Sequence, residues 1–337
     1  MTAVAPDSLD RDVVDEPRRL RTRLHPVDRV FQASTRAVGL FVLVLIVAIG
    51  VFLGLQMVPT IHHFGWRFLT VKQWDPERNI AGISAAIVGT IEVAVVAVGV
   101  AFPLAVTTAL FITEVVPRKI RATLVSLIDL MAAVPSIIYG AWGAALLQPH
   151  ARDVARWLTS YLGFLPIFKV DADPHAAVWE KSRFTSSVFI AGLAVAMMVT
   201  PLACAVMRNV FAQAPLGERE AALALGSTRW GMIRTVVLPF GRGGIIGGTM
   251  LGLGRALGET VAVLLIIAPS FSIKFRILQT GAITVSSLIA NLFGEATSVQ
   301  LSALLAAGFV LFVMTLGVNT LAGLIVTRSR SGSATEI

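Results

Sequence analysis

Cysteine is almost absent from this sequence of 337 residues, since Cys204 is the only one and it lies within an apolar run. A single thiol excludes an intramolecular disulfide and any metal cluster held by several thiolates. There are five histidines, none in a segment predicted to span a membrane, which excludes a metal or haem held by paired histidines inside a bilayer. These absences remove disulfide scaffolds and metal-centred chemistry from the candidate functions.

Charged residues are scarce as well, at 14% of the chain, whereas hydrophobic residues make up 55% and the mean hydropathy is +0.79. A chain of this length and composition is too apolar to be water-soluble, so it is predicted to be an integral membrane protein. A net charge of +8 would indicate nucleic-acid binding in a soluble protein, but in a membrane protein basic residues collect in cytoplasmic loops. We therefore predict membrane lipid around the chain and no nucleic-acid partner.

Several apolar stretches reach the length of about 20 residues that a helix needs to cross a bilayer roughly 30 Å thick. They lie at 38–60, 84–112, 122–147, 187–207, 244–269 and 301–326. Backbone groups in hydrocarbon need partners within their own segment, and the runs lack the alternation of barrel strands, so each stretch is predicted to be a helix. The predicted fold is an all-α integral membrane protein with about six transmembrane helices.

The segments outside this membrane domain, 38–326, are polar. Residues 1–37 mix acidic residues with a later arginine cluster and have too few apolar residues to pack, so we expect a disordered tail. Placing both termini in the cytoplasm puts most Lys and Arg residues inside, including those of the loop 208–242 and of a C-terminal tail, 327–337. Long outer loops then have room to contact a soluble partner.

A polar island at 215–239 separates two of the predicted spans and is typical of two short helices joined by a turn. Gly226 suits the left-handed residue just past a helix end, and Ser227 or Thr228 can cap the second helix. Pro239 stops that second helix. Three of its apolar residues fall on one side at helical spacing: Trp230, Ile233 and Val237. The result is a compact, water-facing surface suited to docking.

This loop also contains a spaced motif of Glu-Ala-Ala, three residues, Gly, nine residues, an aliphatic residue, one residue and Leu-Pro. The motif positions are Glu220, Ala221, Ala222, Gly226, Val236, Leu238 and Pro239. The spacing resembles the cytoplasmic coupling loop of bacterial ABC importer permeases, which sits in a cleft of the ATPase subunit. The alternative is an ordinary amphipathic loop between membrane helices.

A second run, 247–260, reads Gly-Gly-Thr-Met-Leu-Gly-Leu-Gly-Arg-Ala-Leu-Gly-Glu-Thr within the fifth predicted span. Glycines at this density allow close helix contact. The run lacks Gly-Lys-Ser/Thr and a preceding strand, so the chain is not predicted to bind ATP itself. Taken with the docking loop and the runs 111–114, 132–140 and 205–211, it resembles the phosphate-specific ABC importer permeases of PstC type.

The resemblance implies an ABC importer type I permease architecture and a transport subunit that makes and breaks no covalent bond. The implied partners are a second, PstA-type permease, two copies of a PstB-type ATPase and an extracytoplasmic PstS-type phosphate-binding protein. No cofactor is expected on this chain, because ATP with magnesium belongs to the ATPase. The expected location is the bacterial inner membrane.

Two residues of the glycine-rich run are predicted to lie on the substrate route. Arg255 in a span costs on the order of 2.5–3.5 kcal/mol, so it normally faces the protein interior, and its forked donors suit phosphate. Glu259, four residues later, lies on the same face if the helix continues. The alternative is a structural ion pair that Asp129 joins, and Asp129 is a third predicted pathway residue.

Other functions stay open at this point. The cargo of an ABC importer with this sequence could be another oxyanion or small solute. An intramembrane enzyme would need a nucleophile and a base, or paired acids such as Asp129 with Glu259. Pro135, beside Ser136 and Tyr139, either opens a polar path in the third span or only kinks it.

Overall fold

The structure is a computed structural model that describes residues 25–75, 78, 80–170 and 183–329. Residues 1–24 of the predicted tail 1–37 therefore lie outside the described residues. Residues 330–337 of the C-terminal tail do as well. The chain divides into two units, 1–49 and 50–337. The first unit is helical from Pro26 to its end.

The long helices contain the apolar stretches of the sequence. They are α1 (Pro26–Phe64), α3 (Ser84–Leu110), α4 (Arg118–Ala133), α7 (Val188–Ala212), α11 (Arg242–Leu257) and α14 (Ser298–Ser329). Among the described residues, four helical stretches are long and apolar enough to cross a membrane, and there are six if each of two sharply bent pairs is one span. The all-α membrane fold predicted from the sequence is confirmed.

Shorter elements connect these helices. They are α2 (Arg67–Thr70), α5 (Ser136–Trp142), α6 (Gln148–Leu162), α8 (Leu216–Ala224), α9 (Arg229–Met232), α10 (Leu238–Phe240), α12 (Val261–Ile266) and α13 (Val285–Leu292). Wider π-helical turns lie at Phe111–Val115, Gly143–Leu147 and Ile233–Val237, and 3₁₀ turns at Pro166–Phe168 and Phe293–Glu295. Strands β1 (Trp74–Asp75) and β2 (Ile80–Ala81) form an antiparallel hairpin with Trp74 opposite Ala81.

Two of the predicted spans are not straight helices. The third breaks at Val134 and Pro135, and the helical axes on either side differ by 89°. Pro135 has no N–H for the carbonyl of Met131, which accepts instead from the Tyr139 hydroxyl at 2.8 Å and from the N–H of Val134 at 3.3 Å. Tyr139 therefore satisfies a backbone group at the bend, as expected for a structural kink.

The fifth predicted span, 244–269, is wrong as one continuous helix. Helix α11 ends at Leu257, and α12 starts only at Val261. The 67° bend lies before this span, between α10 and α11 near Gly241. A dense run of glycines lowers helix propensity, because each glycine loses more backbone entropy in a helix than alanine does. The helix therefore ends inside the glycine-rich run.

The element ends also differ from the sequence prediction. Helix α1 begins at Pro26 rather than near Val38, so part of the predicted disordered tail is helical. Helix α14 continues to Ser329. The outer stretch 148–186 contains helix α6 in its first half, because Ala151, Ala155 and Thr159 give it a small-residue face that is buried. Its residues 171–182 lie outside the described part.

The core forms where α3 and α11 pack on α7, the most deeply buried of the long helices. Small residues permit the close approach. A Cβ on Gly192 of α7 would overlap Cγ1 of Val96, and one on Gly252 would lie 2.5 Å from Cγ1 of Val199. The predicted role of the glycines in close helix contact is confirmed.

Candidate docking and transport sites

The docking loop begins with α8, whose end is closed by Gly226. Gly226 has φ +85°, its N–H donates to the carbonyl of Leu223, and the N–H of Ser227 donates to the carbonyl of Ala222. These two hydrogen bonds and the left-handed glycine form a Schellman motif, which satisfies carbonyls that the helix end would leave unpaired. The left-handed residue predicted at Gly226 is confirmed.

The second helix of the loop starts at the predicted position. Thr228, rather than Ser227, is its cap and accepts a hydrogen bond from the N–H of Gly231 at 3.1 Å. Ile233 and Val237 are buried, but Trp230 is 62% exposed, so only part of the predicted apolar side is covered. The wider π-helical turn from Ile233 to Val237 changes the angular spacing that a regular α-helix would give.

The motif residues divide by exposure. Glu220, Ala221, Gly226 and Pro239 are exposed, and Ala222, Val236 and Leu238 are half-buried. Large apolar side chains are exposed beside them, with 69% exposure for Leu216, 89% for Leu225 and 62% for Trp230. An exposed apolar cluster rimmed by polar residues is typical of a surface that another protein covers.

The glycine-rich run places Arg255 at the end of α11 and Glu259 in the break between α11 and α12. Arg255 lies in the last turn of α11, and Glu259 follows the helix end at Leu257. The Oε1 atom of Glu259 accepts a hydrogen bond at 3.3 Å from the N–H of Ala262, in the first turn of α12. The expectation that the two residues share one helical face is therefore wrong, because Gly258 ends the helix between them.

The partners of the two residues differ in kind. An Nη2 atom of Arg255 lies 3.4 Å from the sulfur of Met198, and in the part of the chain that the structure describes Arg255 is in no ion pair. Glu259 is only 8% exposed. Near the end of α11 there is thus a guanidinium with no carboxylate partner among the described residues, and a buried carboxylate caps the next helix.

A buried group of hydroxyls adjoins Glu259. The Ser286 hydroxyl donates to the backbone carbonyl of Glu259 at 2.7 Å, and the N–H of Val285 donates to the hydroxyl of Thr90 at 3.0 Å. Thr284 and Ser287 form a capping box at the start of α13. This cluster was not predicted from the sequence, although Ser and Thr residues three positions apart are a helix-start signal.

Asp129, the third predicted pathway residue, lies in α4 and contacts α7. Its Oδ1 atom is 3.5 Å from Nη2 of Arg208, and the Asp129 side chain is 50% exposed. Asp129 and Glu259, the paired acids suggested for an intramembrane enzyme, thus have different partners, Arg208 and the N–H of Ala262.

Residues 101–331 match the family model described as "Binding-protein-dependent transport system inner membrane component". The chain belongs to this family. Among curated relatives, the phosphate transport system permease protein PstC of Pasteurella multocida is 36% identical over 91% of this chain and 94% of its own length. The PstC protein of Xylella fastidiosa strain Temecula1 is 40% identical over 78% and 79%.

A solved structure of a bacterial alginate ABC transporter in complex with an alginate pentasaccharide-bound periplasmic protein contains a chain of the same fold. Its TM-score is 0.57 at 17% identity, covering 92% of this chain and 97% of that chain. Identity this low supports the fold alone. The family membership means that this binding-protein-dependent permease is a multi-pass inner membrane component, with ATP hydrolysis on a separate subunit.

One contact of the permease was not predicted at all. Arg219 of α8 reaches Glu114 in the π-helical turn after α3, with Nη1 of the arginine 3.1 Å from Oε1 of the glutamate. The two residues are 105 positions apart in the sequence, so no local pattern connects them. Glu114 belongs to one of the runs that carry the family resemblance, which is the only signal the sequence contains.

Proposed function

We propose that this chain is the PstC-type permease subunit of an ATP-driven importer of inorganic phosphate and forms one half of the translocation pathway. Two observations support the proposal. Curated relatives that carry the name of phosphate permeases are 36–40% identical to most of this chain. Arg255 also gives a span a cationic group with no carboxylate partner among the described residues. This guanidinium, which has no carboxylate partner in the described part of the chain, is the structural observation that carries the choice of an anionic cargo.

The docking loop is the contact with the ATPase. Its exposed apolar side chains need a covering partner, and the exposed Glu220 and Ala221 leave room for close approach. The complex we propose contains two copies of a PstB-type ATPase, which hold ATP with magnesium, and a PstA-type permease as the second half. A PstS-type protein delivers phosphate from outside the membrane.

Arg255 is the residue that contacts phosphate on this route. A guanidinium presents five donors in a planar fork that matches phosphate oxygens, and it stays charged in a protein interior. Glu259 lies after the end of the same helix, where its charge limits how tightly an anion near Arg255 is held. Asp129 has a partner in Arg208, so we assign it to holding α4 against α7 rather than to the route.

Substrate-dependent ATP hydrolysis tests this function. The purified four-component complex is assayed with the binding protein loaded with phosphate, loaded with sulfate, or empty. We expect hydrolysis to rise with the phosphate-loaded protein alone. Stimulation by sulfate and not by phosphate would mean that the permease serves another oxyanion, and failure of the chain to bind any ATPase would remove the importer function.

A further inference from the structure

Two oppositely charged side chains, Glu114 and Arg219, form a buried pair where α8 meets the end of α3. The side chain of Glu114 is 6% exposed and that of Arg219 is 17% exposed. One guanidinium nitrogen, Nη1, lies 3.1 Å from Oε1 of the glutamate and donates to Oε2 at 3.3 Å. Removing one member of such a pair leaves an uncompensated buried charge, so the pair acts as a unit.

Arg219 also reaches a second membrane helix. Its Nη2 atom donates to the carbonyl of Phe211 at 2.6 Å, in the last turn of α7. Because Glu114 lies in the turn that closes α3, one guanidinium of α8 bridges the ends of α3 and α7. These two helices form the main packing contact of the core.

The turn that contains Glu114 is held from the other side as well. Nη2 of Arg121, in α4, donates to the carbonyls of Thr113 at 2.8 Å and Val116 at 3.3 Å. The glutamate is therefore a fixed point that cannot follow Arg219 without moving the end of α3 and the start of α4.

Helix α8 has few other attachments to the membrane helices. All of its residues are described and none is buried, and Ala222 is the member that packs, half-buried, against the cluster around Phe211 and Ile233. The most specific link from α8 to α3 and α7 is therefore the side chain of Arg219.

We propose that the Glu114–Arg219 ion pair is the positioning link that transmits movement of α8 to α3 and α7. The inference rests on the proposed function, in which α8 is displaced by the docked ATPase. Neither residue touches ATP or phosphate in this account. Their role is to hold α8 in register with two membrane helices, so that ATP hydrolysis and opening of the route stay coupled through contiguous contacts.

The test uses the complete complex in proteoliposomes, with Glu114→Gln, Arg219→Gln and the double variant. Phosphate taken up and ATP hydrolysed are both measured and are normalised to the amount of assembled complex. We expect each single variant to keep its ATPase bound while phosphate transported per ATP falls about tenfold, in the range of typical coupling between sites. The double variant should lose no more than either single one, because the two residues act only through each other.

The double variant leaves no buried charge unpaired, so it also guards against a simple failure to fold. Arg219→Lys, which keeps the charge, should recover coupling relative to Arg219→Gln. Glu295→Gln, which removes an exposed carboxylate far from the docking loop in sequence, is the matched control and should behave as the wild type.

Three results would overturn the link. The first is a wild-type ratio of phosphate transported per ATP hydrolysed in both single variants. The second is a loss in that ratio that multiplies to about a hundredfold in the double variant. The third is a loss of uptake that a smaller amount of assembled complex explains fully. A wild-type complex that hydrolyses ATP but takes up no phosphate overturns the proposed function instead, and so the two failures are distinguishable.

Discussion

At the scale of single residues, Gly226 decides the shape of the docking loop. Its φ of +85° lies in the left-handed region, and a Cβ built on it meets nothing within 4 Å. The requirement for glycine therefore comes from the backbone conformation and not from lack of space, since a β-branched residue strains that conformation by about 1–3 kcal/mol.

We expect Gly226→Val to abolish phosphate uptake while the chain still inserts into the membrane. The valine would shift the turn between α8 and α9 and misplace the docking surface. Gly226→Asn is the matched variant, because asparagine tolerates the left-handed region, and it should retain most uptake. Phosphate uptake and binding of the ATPase are both measured for the two variants. Normal values for the valine variant would refute the role of the turn.

The second prediction at this scale concerns Arg255 and Glu259. Arg255→Gln should leave the complex assembled and lose uptake, because the anion then has no cationic contact on this chain's part of the route. Glu259→Gln keeps an oxygen to accept from Ala262, so α12 stays capped and any loss of uptake reports the charge.

Assembly, ATP hydrolysis and phosphate uptake are measured separately for these two variants. Loss of uptake in an assembled complex supports the route. Failure to assemble supports a structural role, and normal uptake in both variants removes Arg255 and Glu259 from the mechanism.

At the scale of elements, one face of α11 is a stripe of glycines packed on α7. A Cβ on Gly244 would lie 2.5 Å from Cβ of Val210, and one on Gly248 would lie 2.9 Å from the carbonyl oxygen of Ala203. Together with Gly252 these residues recur every four positions, so they line one side of the helix. The stripe sets how closely the two helices approach.

Gly248→Ala should therefore destabilise the protein by about 1–3 kcal/mol, because the added methyl group forces the backbones of α7 and α11 apart. The neighbouring Gly247→Ala is the matched control, since its Cβ would meet only Val326 at 4.0 Å. Alanine favours the helix by up to about 1 kcal/mol over glycine, so the control should be neutral or stabilising. The midpoints of thermal unfolding in detergent are compared for the two variants. Equal midpoints would contradict the close packing of the glycine face of α11 on α7.

The elements also show what a sequence can and cannot predict. The docking loop follows local rules of capping and left-handed glycine, so its helix end at Gly226 and its cap at Thr228 were predictable. The break after Leu257 was not, because hydropathy scores the run 244–269 as one apolar stretch whether or not its glycines keep the helix continuous. The contact between Glu114 and Arg219 depends on tertiary packing, which no local pattern contains.

At the scale of the whole molecule, this chain can form only part of a route for an anion. Its long apolar segments contain three acids, Glu92, Asp129 and Glu259, against one base, Arg255. Asp129 pairs with Arg208, whereas Arg255 is in no ion pair among the described residues. A route in which acidic groups outnumber basic ones repels phosphate unless a partner adds cationic or neutral donors. We therefore expect phosphate uptake to require a second, different permease chain.

ATP-dependent phosphate uptake into proteoliposomes built from defined components tests the proposed function most directly. Vesicles that contain this chain, a PstA-type permease and a PstB-type ATPase, with a PstS-type protein outside, should accumulate phosphate. Vesicles that lack the PstA-type permease or this chain should not. Equal uptake by vesicles that lack either permease, or accumulation of another solute and not of phosphate, would contradict the account.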